Sequence, residues 1–548
     1  MSLQRSENGH DIRKVVENSK LESDIDHVDV VIPDQGGSLW TELWKVKQMI
    51  PYILIIYCCV VNVGLDSGIG GLSLGIVSFR RQFGTYLNDQ SGWVIKSTYQ
   101  SAWSGASVGA QTIGNVASGY VSDRLGRKWA LVCSAVITII ATIIEICSRT
   151  IGPLIAGKTL MGMGIGFLVA QAPAFLAEMS PPRLRGMTTI GVNFCICFGQ
   201  WLSSAVIWGC TAHFTDVNDN TAWLLCFGLQ FIFAVLFLML VWFLPESPVF
   251  LVQQERYEDA RASARKLFGP EYDSLQHVQR VMVEIARENE FKQETKSISY
   301  LEPLQKTDLR RTLIGIVVLV GQVLSGSLFV LSYQNYFYEL SGISNGAMLT
   351  FVNYCIAVIG NITSYFVIDT VGRRPLYVYG SLGLGVANLL VGFMSFVKDH
   401  NPKAAGNVAI FGLSLWSFIY QCCVGTTAYA VNGEVPSNRL RAKTNAWVNL
   451  TNALVSFGVS WAIPEMFNPD AGNMGLKMGY FFGGLAVCLF IISFFTLPET
   501  LGRSSWQLDR MFEARLSASA FKKARFDEAT GELDLSSVKK TTEAQVAA

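Results

Sequence analysis

Between residues 51 and 497 the chain is cut into apolar runs of roughly 20 residues, separated by short polar loops. A helix of that length spans a hydrocarbon core of ~30 Å. The runs lie near 51–77, 98–121, 129–148, 153–176, 187–208 and 222–244, and again near 312–337, 347–368, 375–397, 406–432, 444–466 and 476–497. The predicted fold class is therefore an all-α membrane protein of twelve transmembrane helices. Only 16% of residues are charged, against about 25% in soluble proteins. A net charge of +1 gives no reason to expect a nucleic-acid partner.

The polar gaps carry a phrase written twice. Asp123, Gly126, Arg127 and Lys128 are answered by Asp369, Gly372, Arg373 and Arg374. Glu178, Arg183 and Arg185 are answered by Glu434, Arg439 and Arg441, and Pro245-Glu246-Ser247 by Pro498-Glu499-Thr500. The order is the same and each offset is roughly 250 residues, so a half has been duplicated. Charged motifs repeated at membrane exits point to two similar halves that move against each other. Ion pairs among these residues can hold helix ends together in one state and release them in another. Asp123, Arg127, Glu178, Arg185, Glu246, Asp369, Arg373, Glu434, Arg441 and Glu499 form the candidate cytoplasmic gate.

The remaining sequence divides accordingly. Residues 1–50 are a disordered cytoplasmic N-terminus, with an interfacial helix at Leu39–Trp44. The six-helix halves are 51–244 and 312–497, joined by a cytoplasmic helical linker at 245–311 whose segment 255–268 reads as a solvated helix. Residues 498–548 are a polar cytoplasmic tail. Lys and Arg favour the even-numbered loops, which places those loops and both termini in the cytoplasm; Arg80 and Arg81 oppose that bias. The N-terminus is not a cleavable signal peptide, and the first run serves as an uncleaved insertion signal. The 12 Cys fall mostly inside apolar runs without metal-ligand spacing, so they read as packing residues. No cofactor or metal is called for. No nucleophile–base set or phosphate loop suggests an enzyme.

With these motifs in view, the chain resembles the sugar porter family of the major facilitator superfamily. The resemblance rests on Gly126-Arg127-Lys128, Gly372-Arg373-Arg374, Pro245-Glu246-Ser247-Pro248 and Pro498-Glu499-Thr500-Leu501-Gly502-Arg503. It covers about residues 50–515. The segments Gln322–Ser327 and Arg185–Asn193 are closer to fungal α-glucoside (maltose-type) permeases than to hexose carriers. The resemblance implies two pseudo-symmetric six-helix halves around a central sugar cavity.

Asp66 is the one acidic residue deep in the first run. A carboxylate there costs several kcal/mol unless it is paired, protonated or wetted. In proton-coupled relatives such an Asp carries the proton; the bland alternative is a structural Asp bonded to a neighbouring helix. The family commonly places Arg on the fourth helix nearby, where this chain has Lys158. Lys keeps the charge and loses the planar fork. Matching by motif puts Asn193, Gln322, Asn353, Tyr429 and Asn452 at sugar-binding positions, with Val323 and Leu328 replacing amides. Each of the five is equally able to serve as an interhelical hydrogen bond. Tyr333, Gln334, Tyr336 and Phe337 stand where they can close over a substrate or form an interfacial aromatic belt.

The resulting expectation is a proton symporter that imports an α-glucoside or other di- or oligosaccharide by alternating access. It works as a monomer in the plasma membrane, and its partners are the sugar, H⁺ and the lipid bilayer. A facilitative uniporter and a carrier of a non-sugar small molecule (a secondary metabolite or quinate-like acid) stay open. A non-transporting sensor fits less well with so short a tail.

Overall fold

The computed structural model describes residues 46–534, apart from 89–91, 215, 217, 270–280, 282–300, 341–342, 344, 438, 504, 523 and 527–532. Residues 1–45, with the expected interfacial helix, most of the linker beyond residue 269 and the tail beyond residue 534 lie outside the described residues.

Each predicted run is a helix. The first six are α1 (Ile50–Leu72), α2 (Ser97–Leu125), α3 (Arg127–Cys147), α4 (Ile151–Met179), α5 (Pro182–His213) and α6 (Thr221–Leu240). α7 comes in two pieces, Lys306–Leu324 and Ser327–Leu340, broken where Gly326 takes φ +96°. α8 (Gly346–Val371) and α9 (Arg373–Val397) follow. α10 runs Pro402–Ile419 and Gly425–Glu434 around a π-turn at Tyr420–Val424. α11 (Arg441–Phe467) and α12 (Met478–Thr496) complete the bundle.

Ten of the described helices are long and apolar enough to cross a membrane by length and composition. α2 and α11 are not among them, because they are rich in Gly, Ser, Asn and Thr. They pack against each other across the two sets of six, as do α5 with α8 and α1 with α7. Small residues let backbones approach closely, and lipid gives them no reason to separate. A Cβ added at Gly162 would lie 2.2 Å from the Ser107 carbonyl oxygen, and one at Gly166 2.2 Å from that of Gln111. α2 and α4 therefore meet backbone to backbone.

Within the first run, α1 ends at Leu72 and a 3-10 turn carries the span to Gly75; a short helix, Val77–Phe83, then leads into a hairpin of Thr85–Asn88 with Gly92–Val94. A Cβ added at Gly75 would lie 2.1 Å from the Asn335 amide nitrogen of α7, so the turn packs closely against α7. Two expectations need correction. The linker helix, Tyr257–Phe268, is not solvated all round: Ala260, Ala264 and Leu267 are fully buried. The tail is not simply polar. Its helix Ser505–Glu513 buries Leu508, Met511 and Phe512, and the Arg311 guanidinium pairs with Asp509 and lies 4.5 Å from the Phe512 ring centre.

Candidate functional site

At one end of the bundle the repeated motifs build two matching networks. Gly126 and Gly372, at φ +102° and +100°, turn the chain from α2 into α3 and from α8 into α9. That backbone conformation suits glycine. A side chain would also strike a carboxylate, since a Cβ would lie 2.4 Å from Glu246 Oε2 or 2.6 Å from Glu499 Oε2. Each carboxylate accepts the first N–H groups of the helix it faces. Arg127 N and Lys128 N donate to Glu246 at 3.0 and 3.2 Å, and Arg373 N and Arg374 N to Glu499 at 2.9 and 3.3 Å. These are donors that a helix start leaves open, and its dipole favours an anion there.

The arginines repeat the same geometry. Arg127 pairs with Asp123 (3.6 Å) and Glu178 (3.1 Å), and Arg373 with Asp369 (3.1 Å) and Glu434 (3.4 Å). Ser247 Oγ donates to Glu178 and Thr500 Oγ1 to Glu434, both at 2.5 Å. All these ion pairs stay within one half. Arg441 is exposed, and the side chain of Arg185 lies outside the described residues. Burial pushes the Glu246 carboxyl above its ordinary range, against the pull of its N–H donors and Arg127.

The opposite end is joined across the halves. Arg80, buried after α1, pairs with Glu339 of α7 at 3.0 Å. Gln100 donates to Asn468 at 3.1 Å, the Ser97 backbone to Asp470 at 2.9 Å, and Asn335 to the Leu72 carbonyl at 2.9 Å.

Beneath that seal lies a cavity of about 200 Å³ walled by α1, α2, α4, α7 and α11. Asp66 and Lys158 are on its wall. Lys158 Nζ donates to Asp66 Oδ1 at 2.7 Å, with the lysine only 3% exposed. Removing one member of a pair this deep costs roughly 3–5 kcal/mol, because a bare charge stays behind. Trp103, Ser104, Gln111, Ser332 and Tyr333 line the same space, and the Tyr333 hydroxyl shares a hydrogen bond of 2.9 Å with Ser104. Of the four aromatic-end candidates Tyr333 reaches the cavity, whereas Tyr336 donates to Asn468 at 2.7 Å.

The five motif-matched positions are not among the residues that line this cavity. Gln322 donates to the Gly425 and Val424 carbonyls at 2.8 and 3.4 Å, beside the π-turn. Asn353 donates to Gln334 and Ser417 at 2.7 and 2.8 Å and is 1% exposed. Asn193 is half-buried on α5, and Asn452 on α11 keeps a buried oxygen without a partner. Tyr429 has 62% of its surface uncovered.

Sequence reasoning missed the hydroxyls of Ser247 and Thr500, the serines of the cavity and Glu145. A single signal was available for Glu145, a lone acid inside the apolar run Ile143-Ile144-Glu145-Ile146. It is fully buried on α3, 3.6 Å from Lys158 Nζ.

Residues 52–512 match the family model described as "Sugar (and other) transporter". MFS transporter fmqE of Aspergillus fumigatus is 28% identical over 479 residues, 86% of this chain and 87% of its own. Alpha-glucosides permease MPH3 of Saccharomyces cerevisiae is 27% identical over 501 residues, 90% of this chain and 82% of its own. The inward-open conformation of the xylose transporter XylE from E. coli superposes with a TM-score of 0.69 at 21% identity, covering 84% of this chain and 99% of that one, a likeness of fold. The matched relatives are transporters and permeases, and this chain is a membrane transporter rather than an enzyme. Through a family model that spans both sets of six helices, the chain belongs to the sugar (and other) transporter family, the sugar porters of the major facilitator superfamily.

Proposed function

We propose that the chain imports a sugar, with an α-glucoside as cargo, in symport with H⁺ by alternating access. The observation that carries the reading is the Asp66–Lys158 pair on the wall of a cavity between the halves. A carboxylate there can take a proton from the cavity, release its hold on Lys158, and return the proton when the other end opens. The seal at Arg80–Glu339, and described motif ion pairs that each lie within one half, suit a state closed to the outside. In this reading 51–244 and 312–497 are the moving halves, the motif end and both termini are cytoplasmic, and one chain in the plasma membrane suffices. Likeness over 90% of the chain to an alpha-glucosides permease supports the cargo class.

A second reading, a smaller and less polar cargo, draws on one observation. Gln322 and Asn353 hold other helices, and Leu328 lines the cavity where the family commonly has an amide. The test is uptake of labelled maltose, glucose and a non-sugar panel into vesicles with and without a pH gradient, for wild type and Asp66→Asn. Gradient-driven maltose uptake that D66N abolishes, with exchange of labelled for unlabelled maltose retained, supports the reading. Uptake indifferent to both the gradient and D66N makes the chain a uniporter, and uptake of a non-sugar alone selects the second reading.

A further inference from the structure

Lys158 has two acids within reach, and only Asp66 is explained by the reading above. Glu145 approaches from α3 on the side away from the cavity. It is 0% exposed, its Oε1 lies 3.6 Å from Lys158 Nζ, and neither oxygen has a hydrogen-bond donor. The space for it is built in, since a Cβ at Gly157, next to Lys158, would lie 2.7 Å from Glu145 Cγ. An acid held this way in an apolar helix is costly unless its charge answers another.

The surroundings leave few candidates for that other charge. α4 presents Lys158, α1 presents Asp66 and α6 presents Gln230, whose Nε2 has no partner, and the Phe227 ring 5.0 Å from Lys158 Nζ. α6 has no titratable side chain other than Cys226, and α2 has none between Tyr99 and Tyr120. Lys158 is thus the one cation placed to meet Glu145 among the described residues that pack around it.

We propose that Glu145 is the standing counter-ion of Lys158, a positioning residue that lets Asp66 gain and lose a proton without leaving a lone ammonium in the membrane; this rests on the symport reading. When Asp66 is ionised it holds Nζ at 2.7 Å, and Glu145 waits at 3.6 Å. When a proton from cavity water binds a carboxylate oxygen of Asp66, the ammonium moves about an ångström towards Glu145 and forms the hydrogen bond now missing, within the ordinary range for charged groups. When Asp66 returns the proton to water, the lysine swings back. Glu145 and Lys158 keep their protonation throughout, so the transferred proton belongs to Asp66 alone.

The test is the pH profile of gradient-driven uptake for wild type, Glu145→Gln and Glu145→Asp, with equal-pH exchange of labelled for unlabelled substrate as the check that each variant is folded. With Gln at 145, protonating Asp66 strands Lys158. The upper pH limit of uptake should then move towards acid by at least about one unit, a tenfold change in proton demand, while exchange persists. The Asp variant keeps the charge and should return the limit towards the wild-type position. A Gln profile that superimposes on wild type overturns the proposal, as does a shift that Asp shares in full. If wild-type uptake itself ignores pH, the symport reading fails and this inference falls with it. A pH-dependent wild type with an unshifted Gln variant removes the inference alone.

Discussion

Arg80 and Glu339 meet at 3.0 Å across the two halves, with Arg80 also lying 5.7 Å from the Tyr336 ring centre. Arg80 is buried, while Glu339 is partly open to solvent, so the pair is weaker than a fully enclosed one. Replacing Arg80 with Met should shift the balance towards the state open at this end by about 1–2 kcal/mol, a factor of roughly 5–30. A cysteine placed at Ser104, below the seal, should then react faster with an impermeant thiol reagent added from that side. Unchanged labelling would show that the neighbouring hydrogen bonds close the end without the ion pair.

The α2–α4 contact offers a test of packing. Gly166→Ala puts a methyl group 2.2 Å from the Gln111 carbonyl oxygen, and the thermal midpoint should drop by the equivalent of about 1–3 kcal/mol. Gly119, on the same α2, has nothing within 4 Å of its virtual Cβ. Gly119→Ala should be neutral or slightly stabilising. Equal effects of the two changes would contradict the close approach.

Asn353 and Tyr429 were matched to the same role and have opposite surroundings. Asn353→Ala removes the donor to Gln334 and Ser417 and should cost about 1–3 kcal/mol of stability, with the KM for cargo little changed. Tyr429→Ala, at an uncovered position, should leave the thermal midpoint in place and raise KM several-fold. Kinetics and melting curves on both variants separate the cases. A KM effect at Asn353 with unchanged stability would restore it as a cargo contact.

Glu246 gives a pH prediction outside the membrane. Burial raises its carboxyl above the ordinary 4.5, so folding favours the protonated form. The stability this group contributes is therefore full below the ordinary value and falls as pH rises through the raised one. Glu246→Gln cannot ionise and should gain on wild type between pH 4 and pH 7 in paired melting curves. A constant difference across that range would mean the N–H donors of Arg127 and Lys128 balance burial, and a gain by wild type that they outweigh it.

Much of the bundle can be read from the sequence because lipid imposes a simple length rule, and the motif residues because their charge is costly anywhere but a helix end. Asp66 and Lys158 stand out for the same reason. The cavity wall does not. Ser104, Ser332 and Ser460 look like any small residue that allows helices to approach, and only the facing of α2, α7 and α11 assigns them to the cavity. Gln322 and Asn353 were legible as polar, but the partner each had chosen depended on helices far away in the chain. Segment 505–513 has a polar composition that hides an apolar stripe, Leu508, Met511 and Phe512, and its recognition needed the start of α7 as a partner.

The π-turn at Tyr420–Val424 means that α10 holds one residue more than a regular helix of its length requires. A surplus residue is a movable defect. If it passed along the helix, each residue it crossed would swing by about 100° while both ends of α10 stayed in phase. Gln322 clips the defect in place from α7 through the Val424 and Gly425 carbonyls, less than two turns before Tyr429. Loosening that clip would let one aromatic side chain turn through a quarter of a circle without bending the helix or shifting its neighbours, a rotation that thiol labelling at Cys423 in Gln322→Leu would register.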